Sequence, residues 1–275
     1  MKLMLYICKM ITQVDLEKML HERMRRKPKR WLVALIRWVL IEKWLNKHLA
    51  KIGDKEGVDF MQGVVDILDI NVEVSGEENL PKAGTPYMFV CNHPLGGVDV
   101  VSVASVVGKH YPEGLKIPAN DFLLLLAGIK DMLIPVNKIG GQSRSLSEKI
   151  NEAYASDTQL MFFPAGKVSR KKNGIIADEE WKKNFVAKSI EYKRDIVPIR
   201  IDAKNSKLFY AIAKLRAKLG IKFNIEMALL VRELRKQMHK TIKITIGQPI
   251  LYASLDSSKT AYQWAQEIKK IVYNL

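Results

Sequence analysis

His93 and Asp99 are the residues of this chain best equipped for chemistry, in the string Cys91-Asn92-His93-Pro94-Leu95-Gly96-Gly97-Val98-Asp99. An imidazole whose tautomer is fixed by a carboxylate can take a proton from a substrate on its other nitrogen, which is general-base catalysis. On a regular helix, residues six apart do not share a face. Pro94 and the Gly96-Gly97 pair instead favour a turn that folds Asp99 back towards His93. A plainer reading stands beside this one. Asp99 opens the apolar run 100–107 and is a good helix cap, and caps and ion pairs outnumber sites.

A second group follows the apolar run 160–163. Pro164-Ala165-Gly166-Lys167-Val168-Ser169-Arg170 reads as a turn whose N–H groups can bind an anion, with charge added by Lys167 and Arg170. Taken alone, it reads more readily as a surface turn with solvated cations. A third group, Asn137-Lys138-Ile139-Gly140-Gly141-Gln142-Ser143-Arg144, is another glycine turn rich in donors. A fourth run, Ile196-Val197-Pro198-Ile199-Arg200, also ends on a cation. One strand end thus bears a His-Asp pair and three bear cations. A shared rim at the carboxyl ends of strands is where such groups converge.

Such a rim needs a sheet to hold it. Strand patterns fall at residues 71–74, 87–91, 116–119, 132–136, 160–163, 196–201 and 241–246. Helical patterns fall at 100–107, 145–155, 179–191 and 261–273. The alternation predicts an α/β fold, a mostly parallel mixed sheet flanked by helices. Residues 208–239 read as a helical insertion rich in leucine, lysine and arginine. Residues 1–65 read as a basic amphipathic helical segment and 66–275 as the α/β domain.

In the N-terminal segment, Arg23, Arg25, Arg26, Lys27, Lys29 and Arg30 precede the run 31–45, where Trp31, Trp38 and Leu45 recur every seven residues. A tryptophan-bearing apolar stripe behind a basic cluster suits a helix lying in a membrane interface and drawn to anionic lipid. A helix that packs this stripe on the main domain is the compatible alternative.

The 275 residues carry a net charge of +16, which calls for an anionic partner. Nucleic acid is disfavoured as that partner, because the chain has neither zinc-ligand spacing nor an aromatic-studded RNA-binding strand. Cys8 and Cys91 fit no metal or redox spacing, so no metal is expected and a reducing compartment is the simpler assumption. No run reaches the 18 or so apolar residues of a spanning helix, and residues 1–10 lack a signal-peptide pattern. The expected location is peripheral, on the cytoplasmic face of the inner or plasma membrane.

The four segments, in this order, resemble the glycerolipid acyltransferases, the superfamily that includes 1-acyl-glycerol-3-phosphate acyltransferase. Asn92, His93 and Asp99 match the first motif, and residues 134–145 fall at the second. Phe163-Pro164-Ala165-Gly166 matches the third and Val197-Pro198 the fourth. The Asn-His-Pro-x-Gly-Gly and Phe-Pro-Ala-Gly-x-Val-Ser forms are most similar to a branch often labelled hemolysin-like or glycerol acyltransferase. Two departures stand out. Five residues separate His93 from Asp99 where four are usual, and Ala165 stands where the family usually has Glu. That Glu helps shape the acceptor pocket in the family, so its absence points to an acceptor other than ordinary lysophosphatidic acid. A lyso-aminolipid is one candidate.

The resemblance implies acyl transfer from a thioester of acyl carrier protein or coenzyme A to a lysolipid hydroxyl, with no bound cofactor. His93 would be the base and Asp99 its orienting acid. Lys138, Arg144, Gly166, Lys167, Ser169 and Arg170 would bind the acceptor's phosphate or carboxylate. With no Gly-x-Ser-x-Gly elbow, an acyl-serine route is not indicated. A non-enzymatic membrane-surface protein and an acyl-thioester hydrolase are the alternatives.

Overall fold

The computed structural model describes residues 14, 16–17, 21, 27–119, 127–135, 144–221 and 225–275. Seven strands form one sheet: β1 (Asn71–Ser75), β2 (Met88–Cys91), β3 (Leu115–Ala119), β4 (Leu133–Pro135), β5 (Gln159–Phe162), β8 (Ile196–Asp202) and β9 (Thr241–Ile246). Their spatial order is β1-β9-β8-β2-β5-β3-β4. Every neighbouring pair is parallel except β8 with β9, so the sheet is mixed and mostly parallel. A separate hairpin, β6 (Arg170–Lys172) with β7 (Ile175–Ala177), has no counterpart among the strands expected from sequence.

β2 is central and wholly buried, as its unbroken apolar run requires of a parallel strand covered on both faces. Its side chains alternate between two cores. Phe89 and Cys91 face the core built with α3 (Gly57–Leu68) and α4 (Gly97–Val107). Met88 and Val90 face the core built with α5 (Arg144–Ala155), α6 (Asn184–Tyr192) and α9 (Ala261–Asn274). The result is a sheet sandwiched between two helical layers. The expected boundary near residue 65 falls inside α3, whose Phe60, Met61, Val65 and Leu68 join the same core as Phe89.

Pro198 sits inside β8, where a proline would ordinarily cost a ladder bond. Its carbonyl accepts from the Gly247 amide at 2.8 Å, so its missing N–H lies on the flank where β9 has already ended. The loss is thereby confined to the end of the ladder.

The expected stripe from Trp31 to Leu45 is broken. α1 (Arg30–Val39) and α2 (Glu42–Ile52) are separate helices joined through Ile41, which takes a left-handed conformation at φ 42°. That conformation costs a non-glycine residue about 1–3 kcal/mol. The compensation is packing: Leu40, Trp44 and Leu45 turn onto the main core. Trp31, Leu35 and Trp38 stay exposed on α1. α7 (Lys207–Lys218) and α8 (Leu230–Lys236) form the helical insertion before β9.

Candidate active site

β8, β2 and β5 are neighbours, so the loops leaving their carboxyl ends meet at one place. The first of these begins with Asn92. Its amide side chain donates to the Ile201 carbonyl at 2.9 Å and accepts from the Ile201 N–H at 2.7 Å. The side chain thus extends the β2–β8 ladder while the backbone is released to turn.

Gly96 makes the turn, at φ 91° and ψ −124°, a region that side-chain-bearing residues rarely enter. The turn presents two successive amides to Asp99 in the first turn of α4. Leu95 N and Gly96 N donate to Asp99 Oδ2 at 2.8 and 2.9 Å. The same oxygen lies 3.0 Å from His93 Nδ1. That contact is close but bent, the Nδ1–H direction falling off the line to Oδ2. The cap and the dyad are therefore one arrangement, and the five-residue spacing is accommodated by the glycine bulge.

Asp99 is fully buried and its Oδ1 has no hydrogen-bond partner. Burial raises its pKa above the ordinary aspartate value, against the opposing pull of His93 and the two amides. The His93 ring lies against Phe163, centroids 4.4 Å apart, and its side chain keeps 16% of its surface open. With Nδ1 enclosed, Nε2 is the nitrogen available to a substrate. Space also opens beside Gly97, where an added Cβ would meet no atom within 4 Å.

The backbone of His93 is clamped by the second loop. Its carbonyl accepts from Ser169 N at 2.8 Å, and its N–H donates to Asp178 Oδ1 at 3.2 Å. Asp178 is buried and also accepts from Ser169 Oγ at 2.5 Å and Trp181 Nε1 at 3.0 Å, while its own amide donates to the Tyr273 hydroxyl at 2.7 Å. No motif announces Asp178; it lies nine residues beyond Ser169, after the β6–β7 hairpin.

The other sequence candidates fall into three situations. Ser169 and Arg170 are buried. Ser169 serves the Asp178 clamp. Arg170 donates to the Val168 carbonyl at 2.7 Å and to Glu226 Oε1 at 2.8 Å, with Arg216 Nε 2.9 Å from the other Glu226 oxygen. The guanidinium also rests over the Phe209 ring. Its charge is answered inside the protein, by a glutamate 56 residues away that spacing alone could not reveal. Lys167 and Gly166 sit at the turn itself. Lys167 is exposed, 3.8 Å from Glu179, and Gly166 has φ 63° with the Lys182 ammonium packed close to it. Lys182 is a cation at this turn that the sequence reading missed. Lys138 lies outside the described residues, as does most of its glycine turn, and Arg144 is described only as the first backbone position of α5. Arg200, at the end of the fourth run, donates to the Tyr273 carbonyl near the end of α9.

The site thus sets a histidine, 16% open, over a buried acid at the strand ends of a mostly parallel α/β sheet. The acyltransferase family model matches residues 19–275, and the chain belongs to that family, as an O-acyltransferase. It is 42% identical over 265 residues to the lyso-glycine lipid O-acyltransferase of Bacteroides thetaiotaomicron, covering 95% of this chain and 97% of that one. It is 43% identical over 276 residues to the lyso-glycine lipid O-acyltransferase of Phocaeicola vulgatus, covering 98% and 99%. Among solved structures it is similar to the 1-acyl-sn-glycerophosphate (LPA) acyltransferase PlsC of Thermotoga maritima, with a TM-score of 0.46 and 16% identity over 89% of this chain and 93% of that one.

Proposed function

We propose that this acyltransferase moves a fatty acyl chain from an acyl thioester to the hydroxyl of a lyso-aminolipid. The reading rests chiefly on the 3.0 Å approach of His93 Nδ1 to the buried Asp99 carboxylate, with the far edge of the ring left open. Nε2 takes the acceptor hydroxyl's proton as the oxygen attacks the thioester carbonyl. The tetrahedral intermediate then expels the thiolate, which leaves as thiol with the proton from Nε2. Asp99 fixes the ring and offsets the imidazolium charge, as the acid of a hydrolase triad does. The Leu95 and Gly96 amides are committed to Asp99, so the oxyanion falls to the first amide of α4, at Gly97, where space opens and the helix start is positive.

The acceptor class is supported by the names of two relatives that align along nearly their whole length, and by Ala165 in place of the usual acidic residue. Our reading assigns the acceptor carboxylate to Lys167 and Lys182, the cations at the Pro164–Gly166 turn. The donor is a thioester of acyl carrier protein or coenzyme A, and the net charge of +16 favours docking of an acidic carrier. We further infer peripheral attachment to an anionic membrane on its cytoplasmic face. No helix among the described residues is long and apolar enough to cross a membrane, while Trp31, Leu35 and Trp38 stand exposed on α1.

The test is incubation of the purified protein with labelled acyl thioesters and a panel of lysolipids, followed by lipid mass spectrometry. The expected product is the diacylated aminolipid, formed faster than phosphatidic acid. Release of free fatty acid whatever acceptor is present would make the protein a thioester hydrolase instead.

A further inference from the structure

The insertion after β8 carries a surface that the transfer reaction does not use. Ser206 caps α7, its Oγ accepting from the Phe209 amide. Phe209, Tyr210 and Ala213 bury one side of the helix, the first two in a small core with Val168 and Leu230. On the other side Leu208, Leu215 and Leu219 are 57%, 56% and 63% exposed. With half-buried Ile212 they stand at the i, i+4, i+7 and i+11 spacing that lines one face of a helix. Lys207, Lys214 and Lys218, all exposed, run along one edge of that face, and α7 contains no acidic residue. Along the opposite edge, Arg216 is turned inward to Glu226. An aliphatic ladder bordered by three ammonium groups matches a lipid surface, hydrocarbon beneath and anionic headgroups above, and the lysine stems can lie along the leucines.

The position is right for such a role. Leu230, the first residue of α8, packs with Phe209 on the inner side of α7 and would crowd any side chain at Gly96. Further along α8, Arg232 donates to the Val39 carbonyl at 2.9 Å and lies over the Trp38 ring. α1, α8 and α7 are therefore joined, one exposed apolar face at each end, beside the loop that carries His93.

We propose that the Leu208–Leu219 face of α7 seats on an anionic lipid bilayer and holds the mouth of the site against the membrane. The inference deepens the lysolipid reading above, because such an acceptor is presented from a bilayer.

The experiment compares the full chain with a Leu208→Gln/Leu215→Gln/Leu219→Gln variant and a Lys207→Gln/Lys214→Gln/Lys218→Gln variant. Flotation uses phosphatidylcholine vesicles with and without about 30 mol % phosphatidylglycerol. The leucine variant is expected to lose about tenfold or more in partitioning to the anionic vesicles, with an unchanged melting temperature. The lysine variant is expected to lose its preference for anionic over neutral vesicles. Transfer to a vesicle-embedded acceptor should fall in parallel, while transfer to the same acceptor in detergent micelles is retained. Unchanged partitioning of both variants would overturn the proposal, as would losses caused only by Trp31→Gln/Trp38→Gln. A dimer that the leucine substitutions dissociate would overturn it too, by making the face a protein interface. If partitioning falls as expected but no lysolipid is acylated by any form, the membrane face stands and the substrate reading fails.

Discussion

Asp99 Oδ2 accepts the Leu95 and Gly96 amides and lies 3.0 Å from His93 Nδ1, so the oxygen that starts a helix also seats the imidazole. The helix start and the contact to the imidazole are met by a single atom. A carboxylate used only as a cap needs no burial, since caps work at helix ends exposed to water. Here the acid is fully enclosed with one oxygen unpartnered, an arrangement that lowers stability and that catalysis can use.

Gly96 is the residue on which this geometry turns. An alanine there must adopt φ near 91° and would place its Cβ 3.1 Å from Leu230 Cδ1. We expect Gly96→Ala to cost about 1–3 kcal/mol in a denaturant melt and to lower turnover more than the stability loss explains. Adding Leu230→Ala relieves the crowding but not the backbone strain. Full recovery in the double variant would show that crowding alone was the problem.

Asp99→Asn should separate activity from stability. The amide oxygen can still accept from Leu95 and Gly96, so the fold is kept. Burial raises the Asp99 pKa from the ordinary 3.8, so between those two values the folded protein holds a proton that the unfolded chain has lost. Wild-type stability therefore falls as pH climbs through that interval and stays lower above it. Asparagine cannot ionise. The variant should match wild type in acid, gain on it as pH rises past about 4, and plateau, while turnover at neutral pH drops about a hundredfold or more. Chemical denaturation across the pH range checks this; a variant that is less stable than wild type at neutral pH contradicts it.

The cations at the second loop should divide by burial. Arg170→Ala leaves Glu226 with Arg216 alone in a buried setting and should cost about 3 kcal/mol or more in stability. Lys167→Ala, at an exposed side chain, should leave the melting temperature in place and raise KM for the acceptor with little change in kcat. A selective KM effect for Arg170→Ala at unchanged stability would move that arginine into the binding site.

Asp178 holds the His93 amide and, through Ser169, the strand end beside it. Asp178→Asn should lower kcat about tenfold or more with a smaller change in KM, because His93 loses its placement while the acceptor site is untouched. Ser169→Ala removes only one of the groups around Asp178 and should be milder. Equal losses in kcat and in thermal stability for every substitution in this cluster would reduce it to packing.

How much of this could be read from the chain depends on how local each cause is. β2 announces itself through an unbroken apolar run and α4 through a valine-rich one, and the turn between them through Pro94, Gly96 and Gly97, all within a few residues. The alternation of strands and helices gives the mostly parallel sheet for the same reason. The break at Ile41 was illegible because no glycine or proline marks it; tertiary packing of Trp44 and Leu45 overrides a continuous helical pattern. The fate of Arg170 was illegible because its partner Glu226 comes from a distant insertion, and a basic turn looks the same whether its charge meets solvent or a buried carboxylate. Asp178 belongs to no spacing rule at all, since it meets His93 across 85 residues of chain.

The most direct measurement is single-turnover acyl transfer by His93→Ala, with a pre-loaded thioester donor and saturating lysolipid. The imidazole is the only group assigned to take the hydroxyl proton, so transfer should slow by about a thousandfold or more at an unchanged melting temperature and unchanged lysolipid binding. Transfer within a few-fold of wild type by a folded His93→Ala protein would contradict the account.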